Sequence, residues 1–251
     1  MSGRFVCHLS TVSNRFAHEA TRYCESLGVD YVNYPLTGGP AGAEKATMLI
    51  LCGGAQAVFE RLRPALALLG RPQFFGPRVD AGADVKFIGH LMVFNGLVGV
   101  ASAVALHSEC FREGQVGGAA QAEFFDFLNQ GAGGTRQWDV GAARGIRDGI
   151  WDSGFPARYA LVDAIYTAER CLDAGVSRFA VDAVLRVARG LARLVALRGS
   201  DIATHGLARE LVSNGGLAAV KEGGTLDEVV AELEPSVRAQ VHLNASAEAF
   251  G

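Results

Sequence analysis

The 251-residue sequence has no excess of positive charge: 23 Lys and Arg stand against 26 Asp and Glu, a net charge of −3. That lack excludes the basic field a phosphate-backbone binder needs, so nucleic acid is not an expected partner. Cysteine is sparse and shows no pairing pattern. Five residues (Cys7, Cys24, Cys52, Cys110, Cys171) lie scattered with no ligand-type spacing, so no metal site is expected. The odd count, and an opening MSGRFVCHLST whose apolar run is too short for a secretory signal, point to reduced thiols in the cytoplasm. Internal repeats and disordered linkers are also missing. One apolar run, Val85 to Ala105, is long enough to span a bilayer. Lys86, His90, Asn95 and three glycines interrupt it and no basic cluster flanks it, so a buried core helix, not a membrane partner, is expected.

Apolar residues make up 49% of the chain, enough for a sizeable core. The first part alternates strand and helix patterns. Strands are predicted at Phe5–Leu9, Tyr31–Leu36, Met48–Cys52 and Gln73–Phe75. A helix capped by Ser13 or Asn14 runs to Leu27 and stops at Gly28. A second places Val58, Leu62, Leu66 and Leu69 on one face, with Pro64 expected to kink it. This alternation predicts a small, mainly parallel sheet with helical cover. After Gly82 the strand signals stop. Helices are predicted from Lys86 to about Arg112 and at Phe124–Leu128, Tyr159–Leu172, Phe179–Leu197, Ile202–Val212 and Thr225–Glu234. The glycine-rich stretch after Leu36 and Asn129–Gln137 are expected to be loops. The resulting division is an α/β domain over 1–82 and an all-α helical domain over 83–251, the latter for dimerisation and substrate.

Several motifs, in order, resemble those of the β-hydroxyacid dehydrogenases, the group of 3-hydroxyisobutyrate and 6-phosphogluconate dehydrogenases and imine reductases. HLSTVS (His8–Ser13) is similar to that family's strand-end Ser-Thr motif. PLTGGPAGAEKATM resembles its Ser-Gly-Gly motif, with Thr37 in place of serine. CGGAQAVFERLRPAL, GADVKFIGHLM and SGFPARYALVDAIYTA resemble three further family segments, the second placing Lys86 at the catalytic lysine. The resemblance implies an α/β remnant of a Rossmann-type domain, then a helical domain, and a homodimer. Departures accompany it. No G-x-G-x-x-G fingerprint for a dinucleotide occurs in the sequence. Val162 replaces the family's lysine before Asp163, His90 its asparagine after the catalytic lysine, and Asn33 its aspartate before the Ser-Gly-Gly motif.

Lys86 and His90, four residues apart, share a helix face. At a helix start the macrodipole disfavours a cation, so a buried Lys86 would become a usable acid, base or amine nucleophile. His90 would relay a proton or orient a carbonyl; the alternative for this pair is a lysine reaching water and a satisfied core histidine. Thr37, Gly38 and Gly39 would hold a carboxylate through backbone amides and a hydroxyl, or form a plain turn. Ser10 and Thr11 would line the same crevice or cap a helix, and Asp163 would belong to its floor or pair on a helix surface. His107 and Glu109 read as a solvated face, and Trp138 and Trp151 as packing. The missing fingerprint leads to an expectation of no cofactor, with Lys86 doing nicotinamide-independent acid–base chemistry, of the lyase or isomerase kind, on a small carbonyl or hydroxy acid. NAD(P) enters only in an alternative in which a separate polypeptide supplies nucleotide binding to this substrate-binding half. A further alternative is a noncatalytic scaffold.

Overall fold

A computed structural model describes residues 3–111, 116–212, 216–217, 220–221 and 223–241. Two compact units divide the chain, one of Met1–His90 with Ala239–Gly251, the other of Leu91–Arg238.

In the first unit, β1 (Phe5–His8) pairs in parallel with β2 (Asp30–Asn33), placing His8 opposite Asn33. Helix α1 (Asn14–Ser26) connects them. Its first turn is capped by the Ser13 hydroxyl, which accepts from the Phe16 amide at 3.2 Å. Gly28, at φ +66°, turns the chain out of the helix. The segment expected as one strand over Tyr31–Leu36 is two. Pro35 has no N–H to give to a ladder, and the chain changes partner around it. Tyr34 N donates to His8 O on one side, while Pro35 O accepts from Leu51 on the other. The second piece, β3 (Leu36–Thr37), runs antiparallel to β4 (Met48–Cys52), which pairs in parallel with β5 (Gly70–Phe74). The stretch expected to be a loop is a short helix, α2 (Gly39–Glu44), with Pro40 in its first turn, where a missing N–H costs nothing.

Helix α3 (Gln56–Leu66) buries Val58, Phe59, Leu62 and Leu66 against Val32, Tyr34, Ile50 and Cys52. Leu69, expected on that face, lies beyond the helix and is exposed. Helix α4 (Ala81–Cys110) starts five residues before the expected Lys86. Small residues permit this. A Cβ on Gly82 would lie 2.2 Å from Leu51 O, and one on Gly53 2.8 Å from both Ala81 Cβ and Arg78 O. The first turn of α4 therefore rests directly on the carboxyl ends of β2 and β4. Arg78 pairs with Asp80 and Asp84, and Asn14 Nδ2 donates to the same two carboxylates at 3.2 and 2.9 Å, tying the starts of α1 and α4 together.

Among the described residues α4 alone is long and apolar enough to cross a membrane by length and composition. The expectation of a buried core helix holds for one face only. Phe87, Phe94, Leu97, Val100 and Val104 are buried, while Ile88, Met92 and Leu106 are 62–76% exposed.

In the second unit, α7 (Ala157–Asp173) and α8 (Arg178–Arg198) form the main helix pair. Ala160, Leu161, Ala164, Ile165, Val184, Leu191 and Leu194 are buried. Helix α5 (Ala119–Leu128) precedes a π-helical turn, Trp138–Ala142, that runs into α6 (Ala143–Asp148). The helix expected over Ile202–Val212 is a 3-10 turn, Thr204–Gly206, followed by the short α9 (Leu207–Glu210). The chain entering it is extended: Ala203 N donates to Trp151 O, and Ala157 N to Ile202 O. His205 fills a slot lined by glycine. A Cβ on Gly141 would approach its Nδ1 to 2.9 Å, and one on Gly145 would lie 2.7 Å from Trp151 Cζ3. The imidazole Nε2 lies 3.0 Å from Ile150 O, which fixes that nitrogen as the donor. His107 is buried, contrary to the expectation of a solvated face. Gln121 Nε2 lies 3.2 Å from its Nδ1, and Phe111 stacks on its ring at 4.6 Å. Trp138 and Trp151 pack in the interior as expected. Beyond α9 lie α10 (Leu226–Ala231), opened by a capping box from Thr225 and Glu228, and α11 (Pro235–Arg238).

Candidate functional site

The candidate site lies in the first unit, where α4 meets the end of β3. Lys86 is half-buried in the second turn of α4, and its ammonium donates to Leu36 O at 2.6 Å. Leu36 is the residue before Thr37, so this bond sets the ammonium at the Thr37-Gly38-Gly39 turn. A helix dipole acts mainly within the first turn, so the early start of α4 removes the dipole argument for Lys86; it is Asp84 that occupies the first turn. The lysine is held by a main-chain carbonyl, and the alternative of a side chain simply reaching out to water does not describe it.

His90 is 3% exposed, one turn after Lys86. Burial first, and the Lys86 charge second, hold its imidazole well below the ordinary histidine value. At neutral pH it is therefore uncharged and offers one N–H and one lone pair. Thr37 is half-buried and Gly38 and Gly39 are exposed. Both glycines have positive φ, 146° and 65°, and a Cβ on Gly38 would lie 3.0 Å from Met48 Sδ. The turn needs its glycines for shape, whatever else it does.

Ser10 and Thr11 follow β1 at its carboxyl end, Ser10 exposed and Thr11 half-buried. Neither caps α1; Ser13 does. Asn33 Nδ2 ties the turn down by donating to His8 O at 3.1 Å and to Ser10 O at 2.9 Å. His8, which sequence reasoning did not single out, has its Nδ1 2.8 Å from the Tyr31 hydroxyl, and burial lowers its pKa. Asp163 belongs to the second unit, where it is buried on α7 at 8% exposure.

Thiol nucleophiles are poorly served here. Burial pushes Cys7 up to about 11 and Cys52 to about 12, so both stay protonated at neutral pH. Among the described residues no cluster of three or more His, Cys, Asp or Glu is placed to hold a metal ion. The groups available are therefore an ammonium, a neutral imidazole, and hydroxyls at two strand ends. Such a set can hold an anionic or carbonyl oxygen and exchange a proton with it.

Residues 1–82 match the family described as the NAD binding domain of 6-phosphogluconate dehydrogenase. The resemblance read from the motifs is borne out, as is a Rossmann-like region with few strands followed by a largely helical domain. Among curated relatives, 2-(hydroxymethyl)glutarate dehydrogenase of Eubacterium barkeri is 30% identical over 109 residues, 43% of this chain and 36% of the relative. The 2-hydroxy-3-oxopropionate reductase of Escherichia coli is 27% identical over 132 residues, 50% and 45% of the two chains. The chain thus spans less than half the length of these relatives. The crystal structure of 3-hydroxyisobutyrate dehydrogenase from Salmonella typhimurium superposes with a TM-score of 0.70, covering 83% of this chain and 70% of that one. At 19% identity it shows the fold alone.

These findings correct the expectation of no cofactor. The matched domain is an NAD-binding one and the curated relatives are dehydrogenases and reductases, so NAD(P) is the cofactor they point to. The described residues fit that group only in part. Hydroxyl and ammonium donors suit its reactive end and a substrate. A diphosphate seat is not among them: the start of α1, which follows a parallel strand, has its Phe16 amide taken by Ser13 and two carboxylates gathered at Asn14.

Proposed function

We propose that the chain carries the reactive centre of an NAD(P)-linked oxidoreductase of the β-hydroxyacid dehydrogenase kind, acting on a small hydroxy acid or its carbonyl counterpart. The observation that carries this reading is the Lys86 ammonium held at 2.6 Å on the carbonyl just before Thr37, a carbonyl inside the segment matched to an NAD-binding domain. Two of the relatives are named for short hydroxy acids, 2-(hydroxymethyl)glutarate and 2-hydroxy-3-oxopropionate. A nicotinamide supplies hydride transfer when bound.

The chain's own residues supply the rest. Lys86 gives a proton to the carbonyl oxygen in reduction and takes it from the hydroxyl in oxidation. His90, neutral because of burial and of Lys86, orients that ammonium and the oxygen it serves. Thr37, Gly38 and Gly39, with Ser10 and Thr11, bind the substrate's anionic group. The protein works in the cytoplasm as a homodimer. Five free thiols accord with a reducing compartment, and the uncovered apolar stripe of Ile88, Met92 and Leu106 on α4 accords with a second copy.

The test is Lys86→Met, which keeps the aliphatic stem and removes the charge. Short β-hydroxy acids and their oxo forms are offered with NAD or NADP, and nicotinamide oxidation state is followed. Wild-type turnover should fall by about a hundredfold to ten-thousandfold in the variant, with thermal stability little changed. Equal turnover in both proteins would remove Lys86 from the chemistry.

A further inference from the structure

Asn33 is 1% exposed at the end of β2, where the resembled family has an aspartate. Its side-chain nitrogen has two hydrogens, and the structure uses both. One goes to His8 O at 3.1 Å and the other to Ser10 O at 2.9 Å. The amide orientation is fixed by this, since turning it over would aim Oδ1 at two carbonyl oxygens. Oδ1 itself is buried with no hydrogen-bond partner. An asparagine that tolerates an unmade bond on one side to complete two on the other is doing something specific with its nitrogen.

What the two bonds join is informative. His8 O already accepts from Tyr34 N as part of strand pairing. Ser10 O lies two residues past the end of β1, where no ladder partner exists. The Asn33 amide therefore extends the hold of β2 beyond the last strand pair, onto the turn that bears the Ser10 and Thr11 hydroxyls. An ionised carboxylate at position 33 has no hydrogen to give and would face two oxygens; a protonated one has a single hydrogen for two acceptors.

We propose that Asn33 is the positioning residue of the candidate site, fixing the Ser10–Thr11 turn on β2 through both hydrogens of its amide so that the two hydroxyls are presented to the substrate. This rests on the reading of Ser10 and Thr11 as substrate-binding in an NAD(P)-linked oxidoreductase. Asn33 acts through the turn and touches no reacting atom.

The decisive variants are Asn33→Leu and Asn33→Asp. Leucine keeps the γ-branched outline, is bulkier, and removes both donors together with the unsatisfied Oδ1, so the turn loses its tether. Aspartate at this position removes the paired donors while keeping both shape and size, and thermal melting is followed in both variants. Hydrogen exchange followed by mass spectrometry reads residues 9–13 directly. Loss of two hydrogen bonds should speed exchange there by about tenfold or more in both variants, with KM for the hydroxy acid rising by a similar factor and kcat changing less. Unchanged exchange over residues 9–13 in both variants overturns the proposal. Faster exchange with an unchanged KM also overturns it, because the turn then has no part in binding. A wild-type protein that turns over no hydroxy acid overturns the functional reading instead, and the exchange result still decides whether Asn33 holds the turn.

Discussion

Gly82→Ala tests whether packing at the start of α4 serves the site. A Cβ at this position would lie 2.2 Å from Leu51 O, 3.1 Å from Leu51 C and 3.2 Å from Asn33 O. All three are backbone atoms of strands, which cannot rotate aside as a side chain would. Ordinary contact begins near 3.4 Å, so α4 must withdraw by about 1 Å or the strand ends must yield. Overpacking costs about 1–3 kcal/mol, and a rigid backbone target places this case at the upper end. At roughly 2–4 °C per kcal/mol for a chain of this size, melting should fall by about 6–12 °C. Lys86 lies one turn further along the same helix. A displacement of about 1 Å would stretch its bond to Leu36 O, and misplacement of that size can lower a rate by about a hundredfold. Turnover and thermal melting are measured together, with Gly89→Ala as the control. A Cβ on Gly89 meets nothing within 4 Å, so that variant should gain up to about 1 kcal/mol from helix propensity and keep its rate. The reasoning is refuted if Gly82→Ala melts with the wild type, or if it loses stability while keeping full turnover.

His90 makes stability depend on pH. Its folded pKa is depressed well below 6.5, so between those values the unfolded chain binds a proton that the folded chain refuses. Its contribution is fully present above pH 6.5 and is lost as pH falls toward the depressed folded value. His205 is lowered too, mainly by burial, and adds to the same slope. Urea midpoints across this range should flatten in His90→Gln and flatten further when His205→Gln is added; an unaltered slope in both would dismiss the account. The apolar stripe of α4 predicts a dimer at micromolar concentration in sedimentation, and Met92→Lys, at a residue 76% exposed, should shift it toward monomer with little loss of melting temperature.

The parts of the fold that were legible in the sequence are those governed by local pattern. The apolar run Met48–Cys52, the spacing of Val58, Leu62 and Leu66, and the cap at Ser13 each specify an element without outside help. The misreadings occur where a distant contact decides. Tyr31–Leu36 looks like one strand until Pro35 is seen to divide its bonds between His8 and Leu51. Gly39-Pro40-Ala41-Gly42 has loop composition but closes into a helix. The start of α4 was hidden because Ala81 and Gly82 are chosen for closeness to β4, a relation that periodicity does not record. In the candidate site the residue types are legible, and so is the placing of Lys86 and His90 on one helix. That the partner of Lys86 is a main-chain carbonyl, and that Asn33 reaches past the end of its own strand pairing, are not, because backbone acceptors leave no trace in side-chain identity. The cofactor is not legible from one glycine fingerprint, because the match to an NAD-binding domain is carried by the whole of residues 1–82.

The glycine-lined slot around His205 has a consequence for how this chain can drift in sequence. Gly141 and Gly145 have no intrinsic reason to stay glycine: each is helical, where alanine is favoured. They are held by the volumes of His205 and Trp151 across from them. A lineage that trims His205 releases Gly141, and alanine or serine should soon appear there, whereas Gly145 is released only when both rings are trimmed, since each comes within 2.8 Å of its Cβ position; any lineage that keeps both rings cannot make either change first. The order of substitutions at these four positions is thus directional, and reconstructed ancestors should show the ring lost before the glycine.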